Sequence, residues 1–270
     1  MPKDNTLQQQ NVSDAFSRQS VVFDELNEKN LTLVWMRDKV RKHVLNYWKP
    51  GERILELNAG TGLDAIFFAQ QGLHVHATDN APGMLAVLDQ KVSNLKLNDR
   101  ITSQQSSFLE LDKIEGSFNH IFSNFGGLNC TEKLQDVILS FSRILKPGGT
   151  ATLVIMPPVC PWEILLALKG NFKVAFRRLR KNGTSSHLEG VYFKSYYYTP
   201  SKVKKMFGPN YKLLSVKGLA AFVPPPYLEK FPVKYPSIFK ALTSIEDTMA
   251  GVWPFYAWAD HFIITMQKCS

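Results

Sequence analysis

Short apolar runs alternate along the chain with longer segments whose apolar residues recur at helical spacing. Such runs at 53–57, 73–78, 118–123 and 150–156, and the more polar segment 101–105, read as strands, and 63–71, 81–92 and 131–145 read as helices between them. A further helix at 201–207 and strands at 211–216 and 261–266 complete the pattern. This order of elements predicts an α/β fold with a parallel sheet and helices on both faces. Upstream, residues 1–13 are polar and rich in Gln and Asn, which predicts a disordered tail. Helices are expected over 14–28 and 31–48, the second from Leu31, Val34, Trp35, Val40, Val44 and Tyr47, with Pro50-Gly51 as its stop.

After 150–156 the alternation breaks. Pro157, Pro158 and Pro161 forbid direct continuation, and an insertion over 157–198 ends in the aromatic run Tyr192, Phe193, Tyr196, Tyr197 and Tyr198. Loops of this length are commonly functional. A second insertion, 223–258, is rich in Pro, Phe, Tyr and Trp. The organisation expected is a tail (1–13), a helical cover (14–49) and one domain (50–270) whose two insertions form a lid over an acceptor.

The chemistry concentrates in residues 54–62, Ile-Leu-Glu-Leu-Asn-Ala-Gly-Thr-Gly. Gly60 and Gly62 fall where the first strand must turn into a helix, and glycine permits both the turn and close approach of a ligand. Asp79 closes the second strand, at the edge where open α/β sheets bind ligands. A carboxylate there can accept hydrogen bonds from both hydroxyls of a ribose, which implies a nucleoside-containing cofactor. The dinucleotide fingerprint Gly-x-Gly-x-x-Gly is absent, because its register holds Asn58, Gly60 and Leu63. No phosphate loop of the Gly-x-x-x-x-Gly-Lys-Ser/Thr type occurs either.

The run resembles the first motif of the class I S-adenosylmethionine-dependent methyltransferases, with Glu56, Gly60 and Gly62 matching and Asn58 in place of a glycine. Asparagine also tolerates left-handed backbone. Asp79-Asn80-Ala81-Pro82-Gly83-Met84-Leu85 resembles the second motif, Phe118–Asn124 the fourth strand, and Lys146-Pro147-Gly148-Gly149 the turn into the fifth. The resemblance covers roughly residues 50–156 and implies a Rossmann-like, seven-stranded, mostly parallel sheet. It implies S-adenosyl-L-methionine as cofactor and S-adenosyl-L-homocysteine as product. Glu56 would act near the methionine amino group, the backbone of Ala59, Gly60, Thr61 and Gly62 would pack on the cofactor, and Asp79 would hold the ribose. Asn80 and Met84 would sit near sugar and adenine. Ser107 would replace the adenine-contacting acid of the family, with Phe108 packing on the ring. Asn124 and Phe125 would line the space between cofactor and acceptor.

Charge divides unevenly. Residues 1–156 carry 16 Lys and Arg against 17 Asp and Glu, and residues 157–270 carry 16 against 6, so the net +9 arises as −1 and +10. Such a field attracts anionic partners. The densest block, 165–181, interleaves basic residues with Leu165, Leu168, Phe172, Phe176 and Leu179, which predicts a basic amphipathic helix able to meet an anionic membrane or an acidic carrier protein. Cys130, Cys160 and Cys269 form no metal or disulfide pattern, so no metal is expected and a reducing, cytoplasmic setting is.

The function expected is in-line methyl transfer to a small or lipid-like acceptor of aromatic or acyl character, in anionic or carrier-bound form. Two alternatives stand beside it: a tRNA or rRNA methyltransferase, disfavoured because no separate RNA-binding module shows, and a non-catalytic membrane- or carrier-binding module that keeps the cofactor fold. Candidate bases are His187, Tyr196 and His261, with Tyr198 and Asp260 nearby in sequence.

Overall fold

The computed structural model describes the backbone of residues 2–270 and the side chains of residues 6–270. Two helices open the chain, α1 (Pro2–Lys29) and α2 (Leu31–Leu45). Then follow β1 (Arg53–Leu57), α3 (Leu63–Gln70), β2 (His74–Asp79), α4 (Pro82–Asn94), β3 (Ile101–Gln105), β4 (Phe118–Ser123), α5 (Leu134–Ile144) and β5 (Leu145–Ile155). Past this half come α6 (Pro161–Ile164), α7 (Phe172–Ala175), the hairpin β6 (Thr184–Leu188) and β7 (Val191–Ser195), and α8 (Pro200–Phe207). The chain closes with β8 (Tyr211–Leu219), α9 (Lys230–Lys234), α10 (Pro236–Met249) and β9 (His261–Lys268).

Seven strands form one sheet in the order β3-β2-β1-β4-β5-β9-β8. The first five are parallel, and β9 runs antiparallel between β5 and β8. The expected mostly parallel α/β sheet is therefore present. Side chains alternate between its two faces, as the strand pleat demands. Leu153 and Ile155 join one buried cluster with Phe141 and Ile144 of α5, whereas Val154 joins the other with Val40, Val44 and Phe68.

The antiparallel β9 matters for the site. Ile155 pairs with Phe262, so the start of β9 lies beside the end of β5. This direction, open from the sequence, brings Asp260 and His261 to the ligand-binding edge.

Two expectations are corrected. The tail is helical from Pro2 onward rather than disordered, and only Met1 of the 1–13 segment lies outside the described residues. Its polar side chains bind backbone instead of water: Gln8 Nε2 donates to the carbonyls of Cys130 and Lys194, Asn11 Nδ2 to that of Tyr192, and Ser13 Oγ to that of Asn80. The 165–181 block is not one helix. A 3-10 turn (Leu165–Lys169) ends at Gly170 with φ +77°, and Asn171 then caps the single turn of α7. The Gly170-Asn171 pair supplies a stop and a start in succession, which outweighs the helical spacing of the apolar residues.

Candidate functional site

The turn after β1 is built from left-handed backbone. Asn58, Gly60 and Gly62 have φ of 49°, 57° and 78°. Gly62 has a packing reason as well, since a Cβ there would lie 2.0 Å from Leu88 Cδ1. Asn58 is fixed by its side chain, which accepts from Ser123 Oγ at 2.6 Å and donates to the Asn124 carbonyl at 3.1 Å. The space it fills is opposite Gly127, where a Cβ would sit 2.3 Å from Asn58 Cγ. The asparagine in the glycine motif is thus matched by a glycine after β4.

Asp79 caps both turns of the crevice. Its Oδ2 accepts from the Gly60 amide and its Oδ1 from the Ala81 amide, each at 2.8 Å. Burial raises its pKa, against the opposing backbone donors. Each carboxylate oxygen keeps a second lone pair for a hydroxyl donor.

Three carboxylates converge here, and they divide by partner. Asp64, at the start of α3, is bound by Arg37 and by Arg41 Nε at 2.7 Å, and accepts from Asn124 Nδ2 at 2.9 Å. Burial opposes its ionisation, but the two arginines outweigh that and hold its pKa down. Glu56 has no such partner. Burial, reinforced by the nearby Asp64 charge, pushes its pKa well above the ordinary carboxylate range. Its Oε2 is buried without a hydrogen-bond partner. A buried orphan acceptor of this kind is costly unless a ligand completes it.

The crevice is roofed by α1. Val12, Phe16 and Phe23 face it, opposite Met84, Phe108 and Phe125. Gln9 joins them: its Oε1 accepts from Ser107 Oγ at 3.0 Å, while its Nε2 is buried with no partner. The cavity under this roof measures about 140 Å³.

Of the residues expected from sequence, Glu56, Asn58, Ala59, Gly60, Asp79 and Asn80 line this crevice, as do Met84, Phe108, Asn124 and Phe125. Thr61, Gly62 and Ser107 stand behind its wall: Thr61 Oγ1 donates to Asp24 of α1, and Ser107 holds Gln9. Among the base candidates, His187 lies exposed on β6 against Tyr192, and Tyr196 lines a separate cleft. Tyr198 is buried with its hydroxyl donating to the Thr131 carbonyl. Only His261 approaches the crevice, its ring 6.1 Å from that of Phe125.

His261 belongs to a buried network. Its Nδ1 meets Asp260 Oδ2 at 2.9 Å, and Arg178 Nη2 reaches Asp260 Oδ1 and Glu163 Oε1, each at 2.7 Å. Arg177 adds a two-point contact to Glu163 at 2.7 and 2.8 Å. Although burial opposes it, His261 and Arg178 hold Asp260 ionised far below its ordinary pKa. Cys160, Glu163 and Asp260 could in principle group around a metal ion. The Arg178 guanidinium already bridges the two carboxylates, and burial pushes the Cys160 thiol up to about 12, which keeps it protonated. These donors therefore suit an arginine clamp rather than a cation site.

Sequence reasoning missed Gln9, Arg37 and Asp64. Asp64 follows the glycine turn directly and was the one legible from its position; Gln9 and Arg37 come from helices remote in sequence.

Residues 54–149 match the family described as Methyltransferase domain. A demethylmenaquinone methyltransferase of Clavibacter sepedonicus is 36% identical over 113 residues, 40% of this chain and 44% of that protein. One from Chlorobaculum parvum is 26% identical over 210 residues, 74% of this chain and 80% of that protein. Several of the curated relatives are matched over about half their own length. Among solved structures, an S-adenosylmethionine dependent methyltransferase from Mesorhizobium loti superposes with a TM-score of 0.52 at 14% identity, over 81% of this chain and 92% of that one, which speaks to the fold. The family match falls on the same β1–β5 half that builds the carboxylate-lined crevice: this half is a methyltransferase domain, and its fold is shared with an S-adenosylmethionine dependent methyltransferase.

Proposed function

We propose that this chain is an enzyme that transfers a methyl group from S-adenosylmethionine to a lipid-like aromatic acceptor of the quinone type. The observation that carries the cofactor half is the unpartnered Glu56 Oε2 in a crevice already ended by Asp79. The residues fit the group. Asp79 would take the ribose hydroxyls, Glu56 the methionine ammonium, and the buried Gln9 Nε2 a ring nitrogen of adenine between Phe108 and Met84. The bound cofactor supplies an electrophilic methyl on sulfonium, ready for in-line displacement.

The acceptor half is supported by the apolar crevice wall and by the relatives named demethylmenaquinone methyltransferases. An aromatic acceptor bearing a hydroxyl becomes nucleophilic on losing its proton, and a base helps. His261 fits that part. Asp260 accepts from its Nδ1, which leaves Nε2 as the proton acceptor, and Nε2 would lie 3.3 Å from a Cβ built on Gly126, at the end of β4 beside Phe125. The Arg178 clamp keeps Asp260 charged, so Asp260 goes on accepting from Nδ1 and the ring stays oriented. The apolar walls and the α1 roof exclude water.

The test is incubation with methyl-labelled cofactor and reduced demethylmenaquinone, followed by mass spectrometry of the organic phase. Label in the quinone supports the reading, and His261→Asn should lower kcat about a hundredfold while leaving cofactor affinity unchanged. Label confined to the RNA fraction of a cell extract would overturn the acceptor class.

A further inference from the structure

We infer that the insertion after β5 is a docking surface for an anionic lipid bilayer. Apolar side chains that a folded core would cover stand in the open there: Leu168 is 84% exposed, Phe172 62% and Leu179 54%, with Leu165 and Phe176 also exposed. They sit in a compact insert in which α6, the 3-10 turn and α7 pack on one another. Large exposed apolar groups of this density mark an interaction site.

The charges around them say what the partner is. Among the described residues, Lys169, Lys173, Arg180 and Lys181 are exposed and make no ion pair, whereas Arg177 and Arg178 are consumed by Glu163 and Asp260. The only acid between 161 and 182, Glu163, is buried. The same segment runs on into an open cleft in which Arg180 and Lys181 meet Lys194 and Lys202. One carboxylate, Glu132, faces those four cations. Apolar groups beside cations, with a cationic cleft adjoining, match acyl chains beneath anionic headgroups. A second copy of the chain fits poorly, because a two-fold contact would set the same cations against themselves.

The anchor is not the amphipathic helix that the sequence suggests. It is a folded knob, pinned at its base by the Glu163–Arg178–Asp260 cluster that also orients His261. Docking by this knob would set the acceptor side of the crevice at the lipid surface. Membrane binding needs no methyl transfer, so its failure and failure of the enzymatic reading are separable.

The experiment is vesicle co-sedimentation with pure phosphatidylcholine and with phosphatidylcholine mixed with phosphatidylglycerol, at low and high salt. The full chain is compared with Lys169→Glu/Lys173→Glu and with Leu168→Ser/Phe172→Ser, each checked by thermal melting and by cofactor titration for an intact fold. Wild type should partition to the anionic vesicles at least tenfold better than to neutral ones, with the preference lost at high salt. Each double variant should lose about tenfold or more of that binding, on the order of one or two interfacial side chains. Equal partition to both vesicle types, no sedimentation at all, or a wild-type dimer that the Leu168→Ser/Phe172→Ser variant converts to monomer would each overturn the inference.

Discussion

Replacing Glu56 by glutamine separates what the buried carboxyl does for the ligand from what it does for the fold. Burial and Asp64 hold its pKa well above the ordinary range, so the ligand-free protein favours its protonated form more than an exposed glutamate would. On the proposed assignment the methionine ammonium would reverse that preference, and binding would release a proton to solvent. While Glu56 is protonated in the free protein, cofactor affinity should rise about tenfold per pH unit, the slope of a single released proton. The glutamine amide mimics the protonated acid but cannot become its conjugate base. Losing the charge-assisted contact costs about 1.5–3 kcal/mol, roughly ten- to hundredfold in affinity. The fold responds in the opposite direction. An unfolded chain ionises this side chain above pH 4.5, whereas the folded one resists. Glu56 therefore destabilises the free protein increasingly as pH climbs from 4.5 toward its folded pKa. Glu56→Gln should raise the melting temperature at neutral pH. Calorimetry in buffers of differing ionisation enthalpy counts the proton directly. Binding without proton release, or a Glu56→Gln variant of unchanged affinity and unchanged pH slope, would refute the assignment of Glu56 to the ammonium.

Further outcomes follow from buried charge. Arg178→Met leaves Asp260 without its guanidinium and Glu163 with Arg177 alone. It should cost about 3–5 kcal/mol by denaturant unfolding, and a loss below about 1 kcal/mol would show that the cluster is not a structural clamp. His43 is buried against Thr265, and burial, aided by Lys217, lowers its pKa from 6.5 to about 4. The unfolded chain takes up this proton first, so stability should fall as pH drops from 6.5 through 4, by about 3 kcal/mol at most. Acid melts of His43→Phe should show a shallower fall over that interval, and an unchanged slope would contradict the assignment.

Much of the fold was legible because it obeys local rules. β1, β3 and β4 begin and end where the sequence pattern places them, and the glycine turn and Asp79 stand at strand ends that line the crevice. Most of the crevice wall was legible for the same reason, since its motif residues follow strand termini. The roof did not. Polar Gln8 and Asn11 resemble a solvated tail until the backbone carbonyls that receive them, more than a hundred residues away, are in place. The 165–181 block misled because helical spacing of Leu and Phe ordinarily signals a buried stripe, whereas here Gly170 breaks the helix and leaves those residues in the open. His261 became distinguishable from His187 only once the direction of β9 was known.

Asp79 remains the decisive residue of the proposal, since one of its oxygens holds the glycine turn and the other the start of α4 at the place assigned to the ribose. Titration of S-adenosylhomocysteine into wild type and into a folded Asp79→Ala variant tests it directly. Saturable one-site binding that weakens by roughly tenfold or more in the variant is the predicted result, and equal affinity in the two proteins would contradict it.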